Sequence, residues 1–170
     1  MYFPCLENLR KVKFPQQSIE LLDWWLGTRR PNTLKSLNPL QFSIDCDLNV
    51  SHSVKMFAHC SFDDDIKLLK RHYTIHCPNC MHRVQAFEDK LDYRRLHCSN
   101  CGTEITRRIL EDCTEVAFEL LASPNQSDDP RAPRSLPRGG SPGKVSSLRM
   151  SDLDGYKNED DHIRRLFDCF

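Results

Sequence analysis

Four cysteines constrain this chain more than any other feature: Cys77 and Cys80, then Cys98 and Cys101. Within each pair two residues intervene, and roughly one β-hairpin of sequence separates the pairs. A tight turn between two cysteines aims both sulfurs at one point, and its backbone N–H groups can hydrogen-bond to the thiolates. Two such turns brought together supply four soft anionic ligands, which zinc prefers and magnesium or calcium does not. Protein fills all four positions, so no place is left for water or substrate. The expected cofactor is one structural Zn²⁺.

The two pairs also repeat each other. Ile75-His76-Cys77-Pro78-Asn79-Cys80 is echoed by Leu96-His97-Cys98-Ser99-Asn100-Cys101, an apolar residue and a histidine ahead of Cys-x-Asn-Cys. Gly102, just after the second pair, suits the positive φ that such a turn often needs. Residues 72–110 resemble the zinc-ribbon class, in which two hairpin-borne knuckles clamp one metal. That resemblance implies a fold and a metal. It does not choose among the DNA, RNA and protein partners that the class serves.

Other roles for the cysteines fit less well. A redox-active pair leaves the second matched pair unexplained. Nine cysteines, an odd count, do not form a closed disulfide set. Met1-Tyr2-Phe3-Pro4 lacks the basic start and apolar run of a secretory signal. Cys46, Cys60 and Cys113 lie in apolar-periodic stretches and read as buried free thiols, with Cys5 and Cys169 also isolated. This usage points to a reducing compartment, and a cytoplasmic location is expected. Adjacent strand residues face opposite sides, so His76 and His97 should point away from the metal. His72 and His82, which flank the first knuckle, are likewise not expected to bind it.

A chain of 170 residues holds one ordinary domain or two small ones. From Ser123 to Ser151 it is rich in Pro, Ser, Gly and Arg and almost without core-forming residues, so disorder is expected there. Strands are expected at Tyr73–Cys77 with Arg83–Phe87, and at Tyr93–Cys98 with Thr103–Leu110. Cys113, Val116, Ala117, Leu120 and Leu121 recur at helical spacing, which predicts an amphipathic helix closed by Ser123-Pro124. Upstream, Ser18–Leu26 has helical periodicity with Gly27 as its stop. Asn38-Pro39 offers a cap and first-turn proline for a short helix reaching Cys46. Ser51 or Ser53 can cap a second helix carrying Val54, Phe57 and Ala58, which the run Asp63-Asp64-Asp65 would close. Strand then runs from Ile66 into the first knuckle.

Helix, turn, helix and strand in that order resemble a winged-helix domain over residues 39–75, with Val54–His59 in the place of the recognition helix. The expected architecture is α+β. A helical, winged-helix-like domain (1–71) is fused to a four-cysteine zinc ribbon with a C-terminal helix (72–122). A disordered tail (123–170) follows, ending in a short amphipathic peptide: Ile163, Leu166, Phe167 and Phe170. Such a peptide is fit to dock in a partner's groove.

Charge tempers the nucleic-acid reading. The chain carries 24 basic and 24 acidic residues and no formal net charge, whereas phosphate binding leaves a basic footprint. The outer face of the proposed recognition helix holds His52, Ser53, Lys55, Met56 and His59, without an arginine to read guanine. Candidate phosphate contacts are nonetheless Arg29, Arg30, Lys55, Lys70, Arg71, Arg94 and Arg107. The tail is polarised, with Arg131, Arg134, Arg138, Lys144 and Arg149 preceding an acidic end. No Gly-rich phosphate loop, H-E-x-x-H or G-x-S-x-G motif is present, and no H-x-E accompanies the cysteines, so no enzyme is expected. No apolar run approaches the ~20 residues that span a bilayer. The expected function is therefore non-enzymatic binding, without membrane or small-molecule substrate. A nucleic-acid-associated regulatory or accessory role leads, with a protein–protein adaptor using the ribbon and C-terminal peptide as the alternative.

Overall fold

A computed structural model describes residues 1–124 and 145–170 of the chain. Arg131, Arg134, Arg138 and Lys144 of the expected basic arm lie outside the described residues. Helix α1 (Gln16–Gly27) forms where the apolar period predicts, burying Ile19, Leu22, Trp25 and Leu26. The N-terminus is tied to it: the Tyr2 and Phe3 N–H groups donate to the Asp23 carboxylate at 2.9 and 2.7 Å. Those bonds satisfy a carboxylate that is otherwise buried. Gly27 is required by closeness, since a Cβ there would lie 2.3 Å from the Tyr2 ring. A 3₁₀ segment, Pro4–Val12, adds Leu6 and Leu9 to the core.

Helix α2 (Pro39–Asp45) starts as expected, with the Asn38 side chain accepting the Leu40 N–H and Pro39 in the first turn. Helix α3 (Val50–Phe62) is capped by Asn49, not by Ser51 or Ser53. The Asn49 amide oxygen accepts from the Ser51 and His52 N–H groups at 2.8 and 3.4 Å. Val54, Phe57 and Ala58 are buried as the spacing predicts, but so are Met56, His59 and Cys60. Asp63 ends the helix.

Three antiparallel strands follow in the order β2-β1-β3: β1 (Leu69–His76), β2 (Arg83–Phe87) and β3 (Thr114–Leu120). The boundary expected between residues 71 and 72 therefore falls inside the central strand. β3 replaces the helix predicted from Cys113 to Leu121. Thr114, Val116 and Phe118 are buried at every second position, and this alternation overrides the coincident helical spacing of Val116, Ala117 and Leu120. β-branched and aromatic residues suit a strand, and β1 offers a free edge along which all seven β3 residues pair. The far side of β3 is covered by residue 37, through Leu37–Phe118 N–H···O bonds of 2.6 and 2.9 Å, and by residue 148. The second expected hairpin is reduced to one bridge, His97 to Glu104. Residues Arg107–Ile109 form a 3₁₀ turn leading into the short α4 (Leu110–Cys113).

The tail is the main correction. Residues 145–170, expected to be disordered, return to the body as a 3₁₀ segment (Met150–Tyr156), helix α5 (Asp161–Arg165) and a last 3₁₀ turn (Leu166–Cys169). Leu148, Met150, Leu153, Ile163, Leu166 and Cys169 are all buried in the principal core. The Tyr73 hydroxyl donates to the Leu166 carbonyl at 2.9 Å, and the Leu91 N–H donates to the Cys169 carbonyl at 3.0 Å. Ile163, Leu166, Phe167 and Phe170 thus pack on this chain and are not a free docking peptide. Composition misleads here because a few apolar residues, two to ten positions apart, suffice when they fill gaps in a core built by other elements. The result is an α+β body with a principal cluster and a smaller one (Ile75, Leu91, Ile105, Leu110, Cys113), which Phe87 and Phe170 both touch. Among the described residues no helix is long and apolar enough to cross a membrane.

Candidate metal centre

The cysteine turns close in matching ways. In the first, the Cys77 N–H donates to the His82 carbonyl and the Met81 N–H donates back to the Cys77 carbonyl, both at 2.9 Å. In the second, Cys98 N–H to Thr103 and Gly102 N–H to Cys98 repeat this pattern at 2.8 Å. The backbone turns left-handed at the same place in each, at Met81 (φ 58°) and Gly102 (φ 73°). The sequence repeat is therefore a structural repeat, although only the second copy uses glycine.

These turns bring Cys77, Cys80, Cys98 and Cys101 into one group. Their sulfurs lie 3.5–3.8 Å apart, and a tetrahedron with ~2.3 Å metal–sulfur legs has edges of about 3.8 Å. The cluster fits a metal. Cys77 and Cys98 are buried, and Cys101 is exposed. The Thr103 hydroxyl, 3.0 Å from Cys101 Sγ, leads in holding that thiol down to about 6. The Asn100 amide donates to Cys80 Sγ at 3.5 Å and lowers that thiol too. Burial pushes Cys98 up to about 11. A cation held by these sulfurs would favour the thiolate form of Cys98, against the effect of its burial.

No histidine joins this group. His76 turns instead to Glu115, 3.3 Å away, and His97 is exposed. The other cysteines are free: Cys60, Cys113 and Cys169 are buried, with Cys5 and Cys46 partly so. Burial raises the thiols of Cys5, Cys60 and Cys113 and pushes Cys46 and Cys169 to about 12, the inert end of thiol chemistry.

The cations singled out in the sequence are mostly held by carboxylates. Arg29 pairs with Asp45 and lies over the Trp25 ring. Lys55 meets Glu159 at 3.0 Å, Lys70 meets Glu88 at 2.8 Å and Arg71 meets Asp89 at 3.1 Å. Arg94 folds onto Asp92 at 3.0 Å. Arg30 is exposed, and the Arg107 guanidinium sits 5.5 Å from the Tyr93 ring centre. Beside Lys55, α3 carries the C-terminal segment, where Glu159 accepts from the Ser51 hydroxyl and Lys55.

One close set of ligand-type side chains has no signature in the sequence: His59, Asp160 and His162. Asp160 lies 101 residues after His59, in a stretch whose acidic composition alone reads as solvated. Comparison with protein-family models, with curated proteins and with solved structures finds no match.

Proposed function

We propose that this chain is a non-enzymatic adaptor: a winged-helix-like body that presents a zinc ribbon, clamped by one structural Zn²⁺, to a protein partner. The observation that carries this reading is that exposed apolar and arginine side chains accompany each other on the ribbon, whereas the exposed Ile44 of α2 and Leu121 lie elsewhere. Met81 and Tyr93, 56% and 43% exposed, sit on the ribbon loops, accompanied by the exposed arginines Arg83, Arg94, Arg107 and Arg108. Aromatic residues, methionine and arginine are the side chains enriched in protein interfaces. A metal-fixed loop loses little entropy when such residues are engaged. The carboxylate pairing of Arg29, Lys55, Lys70, Arg71 and Arg94 argues in the same direction, because phosphates would have to displace each partner.

Nucleic-acid association is a second reading, favoured by one feature. The Arg107–Tyr93 stack resembles the aromatic and guanidinium platforms on which unpaired bases settle. Salt titration separates the two. The full, zinc-loaded chain is titrated with unrelated duplex and single-stranded DNA from low to physiological salt. The adaptor reading expects no binding, and also expects a discrete complex from host extract that Tyr93→Ala and Met81→Ala abolish but Ile44→Ala, at a 66% exposed site on α2, preserves. A steep linear fall of log affinity with log salt, relieved by Arg107→Ala, would replace the adaptor with a nucleic-acid binder.

A further inference from the structure

Two imidazoles and two carboxylates meet where the C-terminal segment crosses α3. Asp63, at the end of α3, takes both outer nitrogens: its Oδ2 lies 2.8 Å from His59 Nδ1 and its Oδ1 lies 2.6 Å from His162 Nε2. The inner nitrogens face Asp160, with His59 Nε2 3.3 Å and His162 Nδ1 3.5 Å from its two oxygens. The rings stack with centroids 3.8 Å apart, and Phe14 walls the site with its ring 5.3 Å from His59. His59 is 5% exposed.

We propose that His59, Asp160 and His162 form a second metal site, holding a divalent transition ion of the zinc class. Two features favour a cation here over a plain network of charged hydrogen bonds. Distances are the first. Both contacts to Asp63 have the length of charge-assisted hydrogen bonds, near 2.7–2.9 Å. Those to Asp160 are longer, and one ligand atom from each of His59, Asp160 and His162 lies within 4.8 Å of the other two, close enough to draw in onto ~2.0–2.1 Å metal legs. The second is the division of nitrogens. A metal-binding histidine almost always gives its other N–H to a carboxylate or carbonyl, which fixes the tautomer and turns the lone pair toward the ion. Asp63 does this for both rings at once.

Imidazole binds a metal in the plane of its ring, so the ion would part the two rings from the 3.8 Å stack they make without it. Two nitrogens and one oxygen select zinc, cobalt or nickel over calcium or magnesium. The ion would join α3 to the 160–162 turn and fasten the C-terminal segment across the helix.

The test is metal content of the full chain, equilibrated with micromolar free zinc, for wild type and for His162→Ala and Asp160→Asn. Wild type is expected to hold one more zinc per chain than either variant. That difference is the readout, so failure of the four-cysteine reading would lower every total and leave the difference unchanged. Asp63→Asn keeps all three ligands and should weaken zinc binding at this site about 10–100-fold. It serves equally if His162→Ala does not fold. Zinc should also slow amide exchange across residues 157–170 in wild type alone. Equal zinc in wild type and His162→Ala, or an unchanged affinity in Asp63→Asn, would overturn the proposal in favour of a plain hydrogen-bonded network.

Discussion

Leu166 offers the sharpest check on the packed C-terminal segment. It is fully buried in the principal core, and its carbonyl accepts the Tyr73 hydroxyl. Leu→Ala at such a site removes the transfer free energy of the lost methyl groups and leaves a cavity, together about 2–5 kcal/mol. The backbone carbonyl survives the change, so the hydrogen bond to Tyr73 is not the quantity measured. For a domain of this size each kcal/mol shifts Tm by about 2–4 °C, so a central cost of about 3 kcal/mol predicts a fall of about 6–12 °C. Leu121 is the control, because it is the same residue type at 56% exposure just past β3. Leu121→Ala should move Tm by no more than a degree or two. Calorimetry or circular dichroism on the zinc-loaded chain decides it. Equal shifts for the two leucines would refute the packing, and residues 145–170 would then be the solvated tail that composition suggests. Removing that segment deletes six buried apolar side chains at about 1.5–3 kcal/mol each. This matches or exceeds the whole stability of a typical domain, about 5–15 kcal/mol, so the truncated chain should not fold.

Cys98→Ser should unfold the ribbon and release its zinc, because structural zinc contributes on the order of 10–16 kcal/mol in small sites; an unchanged melting curve would sink the structural role. Gly102→Ala meets no atom within 4 Å but keeps a φ of +73°, so it should cost about 1–2 kcal/mol through backbone strain alone. A chelator competition that finds zinc affinity undiminished would show that the turn relaxes. Glu159 is held below the usual glutamate range by the Ser51 hydroxyl and then Lys55. A depressed carboxylate stabilises the fold above its unfolded pKa of about 4.3 and loses that effect as pH falls through the folded value. Glu159→Gln should therefore flatten the acid limb of Tm below about pH 4.5 and leave Tm near pH 7 lower. Parallel wild-type and variant curves would remove Glu159 from the acid response.

The metal centre was legible because its chemistry is local. Cys-x-Asn-Cys fixes the turn, the turn fixes both sulfurs, and the repeat fixes how two turns meet. Helices α1 and α2 were legible for a similar reason, through the apolar stripe of Ile19, Leu22 and Leu26 and the Asn38-Pro39 start. β3 was not. Val116 and Leu120 satisfy periods of both two and four, and only the open edge of β1 decides between them. The cap of α3 was missed by a smaller margin, since Asn49 and Ser51 are both good caps and Asn49 takes the role.

The His59–Asp63–Asp160–His162 cluster lies beyond any reading of spacing, because its two halves are joined only by the fold. The sequence by itself determined the four-cysteine turns, the early helices and the hairpin into the first knuckle, all set by interactions between residues near in the chain. Tertiary structure alone decided that the last 26 described residues belong to the core. It also decided which carboxylates hold the arginines and lysines, and that two distant histidines share a pair of aspartates. Burial and charge pairing depend on what arrives from elsewhere in the chain, and residue spacing does not encode that arrival.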